Sequence, residues 1–149
     1  MQVVRLLFVE LARALDAFYA VGYLARRGQT EMLPIPKGDV WLGLPDLPSW
    51  LTWYGRAYMP SVQEVLRGFI IESCEQGIFV CYGDEPLEAE KLKLLAPQLP
   101  ESLVVRREKP PAQLGFVELI AAGFTDIVIN RSGMIVHPKA VKADIIPDL

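Results

Sequence analysis

The chain has 149 residues and a formal net charge of −3, and 52% of its residues are hydrophobic. This length favours one domain spanning residues 1–149, with a core large enough to need neither metal nor disulfide support. The negative charge argues against a nucleic-acid-binding protein, and the high hydrophobic content predicts that some apolar surface contacts a partner.

The N-terminal segment is predicted to form one long amphipathic helix from Val3 to Arg27, with Gly28 as its stop. Charged residues gather on one side of a helical wheel and apolar residues cover most of the rest. We therefore expect other elements to cover more than half of the helix circumference. The charges also interrupt any uncharged span of 18 residues, so neither a membrane span nor a signal peptide is predicted.

The two cysteines, Cys74 and Cys81, are too few for a disulfide framework and lie among apolar residues. They are predicted to be buried free thiols, which fits a reducing compartment. Together with the absence of a predicted membrane span or signal peptide, this pattern predicts a cytoplasmic protein.

Prolines exclude a helix between Gln29 and Pro48, where a short strand is predicted at Val40–Leu42. Hairpins and short helices follow. The predicted strands are Leu51–Tyr54, Phe69–Cys74, Ile78–Tyr82, Leu103–Val105, Asp126–Asn130 and Met134–His137. The predicted helices are Ser61–Arg67, begun by a capping box from Ser61 to Glu64, then Leu87–Ala96 and Ala112–Ala122.

The strand Ile78–Tyr82 is apolar on both faces, which marks it as central in its sheet. The elements lack the regular strand–helix–strand rhythm of a parallel sheet. We therefore predict an α+β fold, in which a mainly antiparallel sheet built from hairpins carries the N-terminal helix and the shorter helices.

The sequence predicts no catalytic residue, no metal site and no cofactor. His137 is the only histidine and has no motif around it, and no phosphate-binding glycine loop occurs. Cys74 and Cys81 lack the second Cys or His pair that would complete a tetrahedral site. Paired carboxylates such as Glu72 with Glu75 leave open an acid–base role.

The segment from Trp41 to Tyr58 carries all three tryptophans. Large aromatic side chains on a proline-stiffened segment suit a recognition surface, and they suit a core equally well. Under the first interpretation, the candidate partner-binding residues are Trp41, Trp50, Trp53, Tyr54, Arg56 and Tyr58.

From about residue 40 to residue 105, the chain resembles a family of bacterial immunity proteins that neutralise type VI secretion or other polymorphic toxins. The resemblance lies in an aromatic–glycine–tyrosine motif, a short helix, a hairpin and a proline-containing loop. These are Trp50 to Tyr58, Val62 to Leu66, Phe69 to Glu72, Gly77, Ile78 to Tyr82 and Asp84 to Pro86.

The resemblance implies a protein without enzymatic activity that binds one toxin domain and occludes its active site. Such complexes combine a desolvated aromatic centre with complementary charges. We therefore expect carboxylates to face a basic toxin, and the candidates are Asp46, Glu72, Glu75, Asp84 and Glu85. Two alternatives stay open: a small ligand-binding domain or enzyme with an aromatic pocket and a carboxylate, and a homodimer formed through excess apolar surface.

Overall fold

A four-stranded antiparallel sheet lies at the centre of the computed structural model, which describes residues 1–23, 41–46 and 48–147. Its strands are β1 Tyr19–Gly22, β2 Leu51–Gly55, β3 Ile70–Cys74 and β4 Gly77–Cys81. Their order across the sheet is β1-β2-β4-β3. All five residues of β4 are buried, so the prediction of a central strand here is confirmed.

Within the described residues, four helices and two smaller strand pairs complete the α+β fold, as the sequence predicted. The helices are α1 Gln2–Ala14, α2 Met59–Leu66, α3 Ala89–Leu95 and α4 Phe116–Ala121. Short 3-10 turns lie at Arg67–Phe69 and Glu101–Leu103. The small pairs join β5 Arg106–Glu108 to β8 Lys139–Val141, and β6 Ile127–Asn130 to β7 Gly133–Val136.

The predicted N-terminal helix from Val3 to Arg27 is wrong in its length. The helix ends at Ala14, the chain turns through Asp16 at a φ of 46°, and residues 19–22 pair with β2. Tyrosine and valine in this stretch have good strand propensity, and pairing with a buried strand outweighs the helical periodicity. The predicted end of the helix, Gly28 and Val40 lie outside the described residues.

Other predicted boundaries also differ from the structure, among them the start of α4, which is Phe116 and not Ala112. The capping box at Ser61 is wrong, because α2 begins two residues earlier at Met59 and has no side-chain cap. Proline at position 60 is compatible with this earlier start, since the first helical turn needs no donor there. Of the predicted strand Leu103–Val105, Leu103 ends a 3-10 turn and Val104 forms only an isolated β-bridge with Leu44.

The two faces of the sheet are covered by different elements. The α1 helix lies on one face, where the ring of Phe8 is 5.8 Å from that of Phe79. Because successive side chains of a strand point to opposite faces, Tyr54 lies on the other face, beside its strand partner Tyr19. On that second face, the ring of Phe69 contacts that of Tyr82 at 5.2 Å.

Candidate functional site

Four of the predicted partner-binding aromatic residues belong to the core, and the prediction that they face a partner is wrong. Trp50, Trp53, Tyr54 and Tyr58 are 4%, 1%, 4% and 0% exposed. The reason is their position: two of them alternate along the central strand β2, and both faces of the sheet are covered there. Rings of this size gain more from burial than from any solvent-exposed position.

The polar atoms of these buried rings are satisfied inside the protein. The indole of Trp50 donates to the Gly83 carbonyl at 3.1 Å, and the indole of Trp41 donates to the Tyr58 hydroxyl at 2.6 Å. Trp41 itself is half-buried, with its ring 5.1 Å from that of Phe18. A buried aromatic with a satisfied donor is well suited to a structural role.

The outward side of α1 is largely apolar and is interrupted by the exposed Glu10, which pairs with Arg13. Phe8, Val9 and Ala12 turn toward the sheet, and large side chains on the other side are between 51% and 77% exposed. We call these side chains the α1 outer face: Val3, Leu6, Leu7, Leu11 and Leu15. The expectation that more than half of the helix would be covered is therefore wrong for the described structure.

Two arginines explain why α1 presents this side to solvent. Arg5 donates to the Gly83 carbonyl at 2.7 Å and lies 3.4 Å from the Asp84 carboxylate. Arg13 forms an ion pair with Glu72, and this hydrogen bond raises the pKa of the Arg13 guanidinium above its ordinary value. Both contacts anchor the charged side of the helix along the sheet, which leaves the leucines outside.

The predicted acidic residues other than Asp46 lie near the two ends of α1. Glu72 lies at the C-terminal end of α1 through its contact with Arg13, and Glu75 follows in the turn that closes the β3–β4 hairpin. Asp84 lies at the N-terminal end through its contact with Arg5, and Glu85 is its exposed neighbour. The carboxylates thus border an apolar stripe, although they are distant in sequence.

Arg56, the predicted basic member of the site, is exposed. Its guanidinium donates through Nε to the backbone carbonyl of Glu75 at 3.0 Å. It therefore lies beside the same hairpin turn, at the acidic C-terminal end of α1. The carbonyl carries no net charge, so the guanidinium keeps its full positive charge at this end.

A pocket of about 420 Å³ opens on the sheet face opposite α1. Its sheet side is formed by Tyr19, Tyr54 and Tyr82, and we call it the tyrosine pocket. The segment around Asp46 and Ser49 forms a second side, and the chain from the end of α3 to Val104 forms a third. Of the predicted partner-binding residues, Tyr54 and Asp46 line this pocket.

The tyrosine hydroxyls in the pocket stay neutral at physiological pH. Burial raises the pKa of Tyr82 to about 12 and also raises the pKa values of Tyr19 and Tyr54. A hydrogen bond between the hydroxyls of Tyr54 and Tyr82 raises the pKa of the former and lowers that of the latter. The pocket therefore presents phenols instead of phenolates.

No family model, no curated protein and no solved structure matches this chain. The function has to be inferred from the α1 outer face and the tyrosine pocket.

In the part of the chain that the structure describes, little supports a metal site, a membrane-spanning helix or a reactive cysteine. No group of three or more His, Cys, Asp or Glu residues is placed to hold a metal ion. None of the helices there has the length and apolar character needed to span a bilayer. Burial raises the pKa of the Cys81 thiol, which disfavours the reactive thiolate, although nearby Arg5 partly opposes this effect.

One sequence pattern indicated the α1 outer face, and none indicated the tyrosine pocket. The apolar arc of the helical wheel was too wide for a single core contact, and this excess is what lies exposed. The three tyrosines of the pocket come from residues 19, 54 and 82, which no local motif connects. Only the pairing of β1, β2 and β4 brings them together.

Proposed function

We propose that this protein is a cytoplasmic immunity protein that binds a bacterial toxin domain through the α1 outer face and occludes its active site. The observation that carries the proposal is the apolar stripe of α1 with carboxylates at both ends. It supports binding of a protein partner, and the resemblance of residues 40–105 to immunity proteins supports the class of that partner.

The size of the apolar surface favours a protein partner. Together with Val4 and Phe18, the α1 outer face presents seven large apolar side chains that are 38% to 77% exposed, and exposed apolar side chains in such number mark interaction sites. A standard protein–protein interface buries about 800 Å² on each partner. The exposed side chains at α1 are thus candidates for the apolar centre of such an interface.

The charges around α1 favour a basic partner. Arg5 and Arg13 are already paired with Asp84 and Glu72. Further exposed carboxylates at or near the helix form no ion pair with an arginine of the described residues: Asp16, Glu75 and Glu85. An apolar centre with a charged rim is the usual anatomy of a protein interface, and the rim charges guide association with an oppositely charged surface.

The aromatic motif supports α1 from the side of the sheet. Trp53 and Phe79 pack between the sheet and α1, where they hold the helix in place. In this proposal the motif positions the docking helix and does not itself touch the toxin. The family resemblance at Trp50 to Tyr58 is therefore compatible with a contact surface on α1.

The direct test is co-expression with the product of the adjacent gene, followed by size-exclusion chromatography and a growth assay for rescue from toxicity. We expect a stoichiometric complex and rescue with the unmodified chain. The double variant Leu7→Asp/Leu11→Asp should abolish both, because it places two charges in the apolar centre. Leu94→Asp is the matched control, since Leu94 is 87% exposed on α3, away from α1.

Two outcomes would overturn the proposal. The first is a complex and rescue that survive Leu7→Asp/Leu11→Asp, since the contact would then lie elsewhere. The second is a stable homodimer, measured by light scattering, that the same double variant converts to a monomer while no toxin complex forms. In that case the α1 outer face is an interface between two copies of this chain.

A further inference from the structure

The β6–β7 hairpin has no third strand beside it in the part of the chain that the structure describes. It forms a two-stranded sheet of its own. Side chains on both of its faces are large, apolar and at least 41% exposed: Val128, Ile129, Met134 and Ile135. A two-stranded hairpin by itself is only marginally stable in water, and a further strand is the usual way to stabilise it.

The register shows which backbone groups of β6 point away from β7. The amide nitrogen of His137 donates to the Asp126 carbonyl at 2.9 Å, so these two residues form a hydrogen-bonded pair. Hydrogen-bonded and non-hydrogen-bonded pairs alternate along an antiparallel ladder, so Val128 bonds inward to β7. The N–H and C=O groups of Ile127 and Ile129 therefore point outward, and no backbone partner within the described residues pairs with them.

A second copy of β6 matches this edge in register. When two β6 strands run antiparallel with Val128 opposite Val128, Ile127 of each copy lies opposite Ile129 of the other. These are the residues whose backbone groups point outward, so each of these pairs can exchange two hydrogen bonds. Centring the pairing on either isoleucine would instead place the other isoleucine opposite a residue outside β6.

The side chains and charges of β6 also suit pairing with itself. The three residues from Ile127 to Ile129 are β-branched and favour strands, and the strand has no lysine or proline to protect its edge. The exposed Asp126 precedes β6, and the exposed Arg131 follows it. Antiparallel pairing brings the start of one copy beside the end of the other, so opposite charges meet at both ends.

The β7 edge is less suited to pairing. Its outward backbone groups belong to Met134 and Val136, and Pro138, which has no N–H, stands where the alternation would place the next outward donor. Proline is a common device for protecting a sheet edge. The hairpin therefore has one protected edge and one open edge.

We propose that two copies of this chain associate through their β6 strands, antiparallel and centred on Val128, and so form one four-stranded sheet across a two-fold axis. Only one short strand from each copy forms the contact, so the dimer is weak and reversible, with a dissociation constant of about 10–100 μM. The contact does not involve the α1 outer face, so it is independent of the proposed toxin contact.

The first test combines sedimentation equilibrium with amide hydrogen exchange of the full ¹⁵N-labelled chain over a range of concentrations. We expect a monomer–dimer equilibrium, and exchange at Ile127 and Ile129 should slow several-fold as the dimer forms. The outward amides of Met134 and Val136 should not change. A monomer at about 1 mM, far above the expected constant, would overturn the proposal. Assemblies that grow beyond the dimer, or protection of the β7 amides, would also overturn it.

The second test uses the position of Val128 on the two-fold axis. Val128→Asp and Val128→Lys each place like charges opposite each other, so each alone should raise the dissociation constant more than tenfold. An equimolar mixture should restore the dimer, because aspartate then faces lysine, and this recovery also shows that both variants are folded. Leu94→Asp and Leu94→Lys are the matched controls and should dimerise normally. A mixture that stays monomeric would contradict the register.

A pair of proline variants tests which edge is used. Ile129→Pro removes an outward N–H that the hairpin itself does not need, so it should abolish the dimer. Met134→Pro makes the same change at the β7 edge and should leave the dimer intact. Retention of the dimer in Ile129→Pro, or its loss in Met134→Pro, would contradict pairing through β6.

The outcome is separable from that of the proposed function. Leu7→Asp/Leu11→Asp should leave the β6 dimer unchanged, and Val128→Asp should leave toxin binding and rescue unchanged. A dimer that the α1 variant abolishes would place the self-contact on the α1 outer face and overturn this inference. A dimer that behaves as expected while no toxin complex forms would count against the proposed function alone.

Discussion

The indole Nε1–H of Trp53 donates a hydrogen bond of 2.8 Å to the carbonyl oxygen of Ala17. Trp53 lies in the middle of β2, and Ala17 lies in the turn where the chain leaves α1 and enters β1. The backbone nitrogen of Ala17 in turn donates to the Ala12 carbonyl at 2.8 Å. One buried ring therefore fixes the point at which the N-terminal helix ends and the edge strand begins.

Replacing Trp53 by phenylalanine tests this contact. We expect the free energy of unfolding to fall by about 2–4 kcal/mol, because the smaller ring leaves a cavity and the Ala17 carbonyl loses its donor. Urea denaturation of the variant and the unmodified chain measures the loss. Leu94→Ala is the exposed control and should change stability by less than about 0.5 kcal/mol. A loss below 1 kcal/mol in Trp53→Phe would contradict the contact.

Gly77 provides a second test of the packing around the same ring. A Cβ atom at this position would lie 2.6 Å from Cε2 and Cζ2 of Trp53 and 2.6 Å from the Tyr54 carbonyl oxygen. Gly77→Ala should therefore destabilise the protein by about 1–3 kcal/mol or more, since neither a buried indole nor the backbone moves cheaply.

Gly68→Ala is the matched control for that substitution. A Cβ atom at Gly68 would have no neighbour within 4 Å, and the backbone there does not adopt a positive φ. Its thermal midpoint should stay the same or rise slightly, because alanine lowers the entropy of the unfolded chain. Similar losses of stability in Gly77→Ala and Gly68→Ala would contradict the close contacts at Gly77.

The buried tyrosines predict a loss of stability in alkali. Their folded-state pKa values lie above the unfolded value near 10, with Tyr82 at about 12, so the folded state holds protons that the unfolded chain releases. The contribution of the buried tyrosines to the free energy of unfolding is fully present below pH 10. It then falls by up to about 1.4 kcal/mol per pH unit for each such tyrosine as the pH rises toward 12.

Chemical denaturation between pH 8 and pH 12 measures this loss, and Tyr82→Phe is the informative variant. It should be less stable at pH 8, because Tyr54 loses its hydrogen-bond partner, and its slope above pH 10 should be shallower by one titrating group. An unchanged slope would mean that Tyr82 is not the group that titrates. A protein of constant stability through pH 12 would contradict the burial of all three phenols.

The two cysteines should differ in reactivity toward alkylating agents. Cys81 is buried, its thiol lies 3.1 Å from the Gly83 carbonyl, and burial raises its pKa, while Cys74 is half-buried. We expect iodoacetamide at pH 8 to label Cys74 about tenfold faster, as followed by peptide mass spectrometry. In denaturant the two rates should converge. Faster labelling of Cys81 in the native protein would place that thiol at the surface.

Local pattern was enough to predict most of the regular structure. The hairpin of β3 and β4 follows from two apolar runs separated by a glycine-containing turn, and the last hairpin from a similar pattern around Gly133. The α+β class follows from the irregular order of helices and strands. These features depend on neighbours in the chain, so the sequence alone contains the information.

The sites depended on contacts that sequence patterns do not encode. Tyr19 to Gly22 reads as helix in isolation, but pairing with β2 makes it a strand. The orientation of α1 was decided by Arg5 and Arg13 reaching Asp84 and Glu72, which lie 79 and 59 residues away. These ion pairs hold the charged side of the helix against the sheet, so its leucines face solvent.

The sequence by itself determined which segments form hairpins and that β4 is central. Only the tertiary structure decided that the tryptophans at 50 and 53 are interior, that the acidic residues border α1, and that three tyrosines share a pocket. The physical reason is that hydrophobic burial is not directional. An apolar residue is equally favourable in a core or at an interface until the packing of distant strands assigns it to one of them.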